Sequence, residues 1–230
     1  MPGIAIDVDQ VDYPDPMGNR LLELVALFIA LPLGLVGLKA SGIRVSPLPV
    51  LWLATAGCLL LFWITRRSGT TTGPSGARTW SRKRALVEVA VTVLAGGPLL
   101  FLLYELISDQ PAFTFPANNP TVWVIVLVAY PLLSVVPQGI VFRRWFASRY
   151  RLALGSGAGM IVVGAICFGF SHVIFLNLTA PLLTLVGGAI FMRTYLRSGS
   201  GWIADLQHAL LGDIAFTIGY GQWLYAGPVG

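Results

Sequence analysis

The sequence predicts an all-α protein, a polytopic transmembrane helical bundle of about seven spans. Hydrophobic residues make up 56% of the 230 residues and charged residues only 11%, and the mean hydropathy is +0.77. These values lie outside the range of soluble domains. A helix needs about 20 apolar residues to cross the hydrocarbon core of a bilayer. The predicted spans cover residues 21–38, 49–65, 85–107, 121–137, 155–176, 179–192 and 202–220.

The positions of lysine and arginine predict how the spans are oriented, because positive residues beside spans are retained in the cytoplasm. The loop between the second and third spans carries six of them: Arg66, Arg67, Arg78, Arg82, Lys83 and Arg84. If this loop is cytoplasmic, alternation of the spans leaves only Lys39 and Arg44 outside. We therefore expect a multi-pass integral membrane protein with its N-terminus in the cytoplasm and its C-terminus outside.

The chain shows no sign of a second folding unit. Residues 1–20 form a short polar N-terminal arm, which contains four aspartates, and residues 21–230 form a single transmembrane domain. Cys58 and Cys167 lie in apolar runs, where a free cysteine behaves as a small hydrophobe. The net charge of +5 follows from the basic loops, so we expect membrane lipids as partners and no nucleic acid.

The two histidines of the chain lie inside apolar spans, and ionisable groups at such depth usually face a bundle interior or a wet cavity. Asp205 precedes His208 by three residues and is a candidate to orient its imidazole. Asp213 follows His208 by five residues, roughly 140° away in helical projection. A π-bulge at Gly212 would bring Asp213 to the same centre as His172 and His208.

The segment 131–151 mixes apolar residues with arginines. Pro137 interrupts an apolar run, and the following residues alternate between large apolar side chains and arginines. This pattern predicts a span that bends at Pro137 and continues as an amphipathic helix along the cytoplasmic interface.

Three short motifs occur in order on late spans: PQGIVFR, FGFSH and HALLGD. Together they resemble the CPBP family of intramembrane proteases, which includes the type II CAAX prenyl endopeptidases and bacterial bacteriocin-processing or self-immunity proteins. The family pattern is Glu-Glu-x-x-x-Arg, then Phe-x-x-x-His, then His-x-x-x-Asn or Asp. The resemblance covers about residues 121–220. It aligns Arg143 with the family arginine, Phe168 and His172 with the second motif, and His208 with the third.

The chain departs from this pattern where the family chemistry depends on it. The two glutamates fall at Gln138 and Gly139, and the asparagine position is Gly212, with Asp213 one residue late. In the mechanism that the resemblance implies, a glutamate and a histidine activate water, while histidine and asparagine stabilise the oxyanion. Gln138 can hold a water but cannot deprotonate it, and the loss of a general base typically costs ~10²–10⁴-fold in rate.

Two arrangements would restore the missing chemistry. In one, Asp213 enters the site and supplies the carboxylate. In the other, His172, His208 and Asp213 hold a divalent metal such as zinc, which would lower the pKa of a bound water. The alternative is that no cofactor is used.

Three function classes remain open. The first is an intramembrane endopeptidase of the CAAX type that cleaves membrane-anchored or lipidated peptides, reached from the cytoplasmic side. The second is a catalytically inactive relative that binds a peptide, a lipid or a partner protein. The third is a transporter with a histidine and aspartate path, although the first three spans carry no counterpart of the late polar cluster. In each case the residues expected to line the cavity are Gln138, Arg143, His172, His208 and Asp213.

Overall fold

The computed structural model describes residues 16–43, 46–67 and 79–224, and within these ranges the chain is helical with no strands. Most of the predicted N-terminal arm and the loop at residues 68–78 lie outside the described residues. The helices, in chain order, are α1 (residues 16–40), α2 (Pro47–Arg67), α3 (Arg82–Ile107), α4 (Thr114–Asn118), α5 (Pro120–Leu154), α6 (Ala158–Phe170), α7 (Thr179–Ser198), α8 (Gly201–Ile218) and α9 (Gly221–Leu224). A 3₁₀ turn, Ser171–Phe175, extends α6, and α1 contains a π-helical turn, Ala26–Ala30.

Six of these helical stretches are long and apolar enough to span a bilayer, among the residues described. They belong to α1, α2, α3, α5, α6 with its 3₁₀ turn, and α7. Their outer surfaces carry large apolar side chains such as Leu53, Leu94 and Leu182, which are 74%, 75% and 61% exposed. Exposed apolar surface of this extent is typical of a face that contacts lipid. The prediction of an all-α membrane bundle is confirmed.

The seventh predicted span is the 18-residue helix α8, which is not among the six stretches apolar enough to span a bilayer. Asp205, Gln207, His208 and Asp213 all lie on it, and the first three are buried inside the protein. α8 packs against α3 and α7. Its polar groups therefore face the bundle interior rather than the hydrocarbon.

α5 continues through Pro137 as one helical stretch of 35 residues, so the proline does not end the helix. π-helical turns at Pro131–Val135 and Ile140–Trp145 flank Pro137. A π turn displaces the backbone from the regular α-helical hydrogen-bonding pattern, so a proline directly after one need not break the helix. At about 1.5 Å per residue, α5 is roughly 52 Å long and exceeds the ~30 Å hydrocarbon core.

The second half of α5 packs against α1. Phe146 and Tyr150 are fully buried, and both rings contact Phe28 of α1, at centroid distances of 5.4 Å and 6.4 Å. Glu23 of α1 accepts hydrogen bonds from Arg149 and from the Tyr150 hydroxyl. Aromatic packing and this ion pair therefore join α1 to the end of α5.

Candidate functional site

An ion-paired cluster joins α5 to α8 in the bundle interior. Nη2 of Arg143 lies 2.8 Å from Oδ1 of Asp205, and Arg144 pairs with the other carboxylate oxygen. Arg143 is only 2% exposed. A buried charge is tolerated when it is paired and hydrogen bonded. The arginine of the first motif is therefore a core residue bound to a carboxylate.

Gly139 makes room for that carboxylate. A Cβ atom built on Gly139 would overlap Oδ1 of Asp205 and would lie 2.8 Å from nitrogens of Arg143 and Arg144. Position 139 is where the family motif has a glutamate. Here the carboxylate beside this backbone comes from Asp205 on another helix. A carboxylate therefore lies next to Arg143, although neither position 138 nor position 139 carries the glutamate of the family motif.

His208 lies between Arg143 and Tyr130. Nη1 of Arg143 is 3.5 Å from Nδ1 of His208, and the Tyr130 hydroxyl is 3.0 Å from Nε2. A guanidinium group can only donate, so a neutral His208 accepts at Nδ1 and carries its proton on Nε2. Asp205 was expected to orient this imidazole directly. Its two oxygens bind the arginines instead, so its influence on His208 passes through Arg143.

A second glycine makes room for Tyr130. A Cβ atom built on Gly212 would overlap the Tyr130 hydroxyl and ring. Gly212 is the position at which the family motif has an asparagine. The Tyr130 hydroxyl therefore occupies the space in which the family motif has an asparagine amide. It contacts His208, which lies one turn before Gly212 on α8. Phe191 stacks on the His208 ring, with ring centroids 4.5 Å apart.

His172 lies at the junction between α6 and its 3₁₀ turn and is 9% exposed. Its Nδ1 is 2.7 Å from the carbonyl oxygen of Phe168. The Phe168 ring contacts both imidazoles, with centroid distances of 4.8 Å to His172 and 5.6 Å to His208. The two histidines therefore flank one phenyl ring.

Gln138 is held by its amide nitrogen, which donates to Oγ of Ser134 at 3.0 Å. Its Oε1 is buried and has no hydrogen-bond partner among the described residues. Buried acceptors are usually paired with protein or water. Gln138 therefore presents a free acceptor on the same stretch of α5 as Gly139 and Arg143.

Asp213 does not join the two histidines through a π-bulge, because α8 is regular α-helix across Gly212. Oδ1 of Asp213 is buried without a partner in the described part of the chain. Among those residues, no three His, Cys, Asp or Glu side chains are grouped closely enough to hold a metal ion. His172, His208 and Asp213 therefore do not fit the zinc site predicted from the sequence.

Sequence reasoning missed Tyr130 and Phe191, which contact His208 together with Phe168, and it gave Asp205 the wrong contact. The tyrosine ends an apolar run and has no motif around it. The one available signal was the pair of glycines at motif positions, since a glycine where a functional side chain is expected leaves a space that another residue can fill.

The fold is that of an integral membrane helical bundle with a polar cluster in its interior. Residues 120–212 match the family model described as type II CAAX prenyl endopeptidase Rce1-like. The match covers α5, α6, α7 and α8 as far as Gly212, and it confirms the resemblance stated from the three motifs. No curated protein and no solved structure matches the chain significantly.

Proposed function

We propose that the chain is an intramembrane endopeptidase of the CAAX type, in which the imidazole of His172 replaces the missing glutamate as general base. The observation that carries this proposal is the contact between Nδ1 of His172 and the Phe168 carbonyl oxygen. A carbonyl oxygen only accepts, so Nδ1 holds the proton and Nε2 keeps its lone pair. Histidine is the commonest general base in enzymes.

In the proposed reaction, Nε2 of His172 takes a proton from water, and the water oxygen bonds to the scissile carbonyl carbon. The free acceptor of Gln138 helps to hold the water. Negative charge develops on the carbonyl oxygen beside the Arg143 and His208 pair. The intermediate then collapses, the C–N bond breaks, and His172 returns its proton to the leaving nitrogen, which gives a carboxyl product and an amine.

The substrate class follows from the position of the site. The polar cluster lies among membrane-spanning helices, so a peptide must be held at the bilayer to reach it. Lipidated or membrane-anchored peptides meet this condition. The orientation predicted from the basic loops would admit them from the cytoplasmic side.

The contacts of Asp205 with two arginines favour a second function. Both of its oxygens bind arginines, so the carboxylate nearest to the lost glutamates is held in an ion pair and not presented to a water. With no usable base, the chain would be a non-hydrolytic relative that binds a membrane peptide, a lipid or a partner protein.

Cleavage by the purified protein in lipid nanodiscs distinguishes the two functions. The substrates are myristoylated and farnesylated peptides, each with a fluorophore and a quencher. The variants are His172→Gln, which removes the proposed base, and Gly139→Glu/Asp205→Ala, which restores the second of the two motif glutamates. The double substitution is needed because a side chain at position 139 would overlap Asp205.

The endopeptidase proposal expects cleavage by the unaltered protein and a loss of at least ~10²-fold in His172→Gln. Cleavage that is confined to the glutamate-restored form would overturn it and support the non-hydrolytic function. A chelator arm is included, because a metal-dependent rate would also contradict His172 as the sole base.

A further inference from the structure

The polar groups around His208 form a directed chain of hydrogen bonds. Arg143 can only donate, and it contacts Nδ1 of His208. The proton of a neutral imidazole then lies on Nε2, which donates to the oxygen of Tyr130, 3.0 Å away. The phenolic proton is consequently turned away from His208 and is free to be donated to a third group.

The surroundings of Tyr130 hold the hydroxyl at this position. Its ring packs edge-on against Phe216, at a centroid distance of 4.9 Å, and edge-on against His208, at 6.0 Å. The absence of a side chain at Gly212 lets the hydroxyl approach α8. A donor fixed before the reaction needs no reorganisation as charge develops, and this is the condition under which an oxyanion donor is effective.

We propose that the Tyr130 hydroxyl is the oxyanion donor of this site and takes the place of the asparagine amide that the third motif lacks. His208 and Arg143 act through it, as positioning residues that direct the phenolic proton. The inference rests on the proposed endopeptidase function. It reassigns the contact with the developing oxyanion from His208 to a residue outside all three motifs.

Cleavage kinetics test the role of Tyr130. Tyr130→Phe keeps the ring and removes the donor, and it should lower kcat by ~10²–10³-fold with little change in KM. Gly212→Ala should give a similar loss, because the new methyl group would push the hydroxyl off His208. Tyr150→Phe is the matched control, since that hydroxyl binds Glu23 at the far end of α5, and it should leave kcat unchanged.

The tautomer of His208 is a readout that needs no activity. The chain has two histidines, so ¹⁵N-histidine spectra contain two sets of side-chain signals, and His172→Gln assigns them. The inference expects the Nε2–H tautomer at His208. An Nδ1–H tautomer would mean that Tyr130 donates to the imidazole and has no proton to offer, which would overturn the inference whatever the protein cleaves.

Failure of the inference and failure of the proposed function look different. If the unaltered protein cleaves and Tyr130→Phe cleaves equally well, only the inference falls. If cleavage appears only in the glutamate-restored form, the proposed base falls, and Tyr130→Phe on that background decides the role of the hydroxyl. If no form cleaves, both proposals fall.

Discussion

The carboxylate of Asp205 lies in the space that a Cβ atom at position 139 would occupy, so Gly139 on α5 and Asp205 on α8 fit together only because one of them has no side chain. This pairing links the sequence of the first motif to the packing of the last long helix. It also supplies Arg143 with a carboxylate partner from outside the motif.

Gly139→Ala should therefore destabilise the protein, because the added methyl group must displace Asp205 or the arginines that bind it. Overpacking of a close-packed interior typically costs about 1–3 kcal/mol. The measurement is thermal unfolding in detergent, followed by intrinsic fluorescence. Gly57→Ala on α2 is the matched control, because no atom lies within 4 Å of a Cβ built there. Equal melting temperatures for the two variants would contradict the close approach.

Asp205→Asn should be more damaging than its small change in shape suggests. The substitution leaves the buried Arg143 without a counter-charge, and the removal of one partner of a buried pair typically costs about 3–5 kcal/mol. The control is Glu88→Gln, whose partner Arg193 has a side chain that is 46% exposed. Exposed pairs contribute about 0–1 kcal/mol. Urea or thermal unfolding in the same detergent compares them, and a smaller loss for Asp205→Asn than for Glu88→Gln would refute the assignment.

The sequence could predict the helices better than the contacts between them. Spans of apolar residues, basic loops and two histidines inside apolar runs are local features, and the helices found agree closely with them. The course of α5 was harder to predict, because a proline normally breaks a helix. Whether flanking π turns accommodate it depends on packing that no local pattern encodes.

The site was only half predictable for the same reason. Arg143, His172 and His208 occur in motifs, so their proximity could be inferred from resemblance. Tyr130 and Asp205 reach the site by filling the space left at Gly212 and Gly139, which depends on how α5 packs against α8. A sequence shows that a glycine is present but not which distant side chain lies over it.

The orientation predicted from the basic loops can be tested with single cysteines on opposite sides of α3. Thr79 and Asp109 are both exposed, while Cys58 and Cys167 are buried and should react little. Because positive loops are retained in the cytoplasm, a membrane-impermeant maleimide should label Asp109→Cys in intact cells. It should label Thr79→Cys only after permeabilisation. The reverse pattern would invert the topology and place the basic loop outside.

Lys39 is one of two positive residues that this topology leaves outside, and the structure gives it a local role. Its ammonium group donates to the carbonyl oxygen of Ile174 at 2.9 Å, within the 3₁₀ turn that carries His172. A hydrogen bond from a charged donor contributes about 1.5–3 kcal/mol, so Lys39→Met should loosen this turn while keeping most of the side-chain stem. We expect faster hydrogen exchange in peptides that cover residues 171–176 and little change in α5.

The matched control is Lys83→Met, at an exposed position on the first turn of α3. This substitution should leave hydrogen exchange at residues 171–176 unaltered. Unchanged exchange at residues 171–176 in Lys39→Met would show that the turn is held by helix packing alone, and that Lys39 has no part in positioning His172.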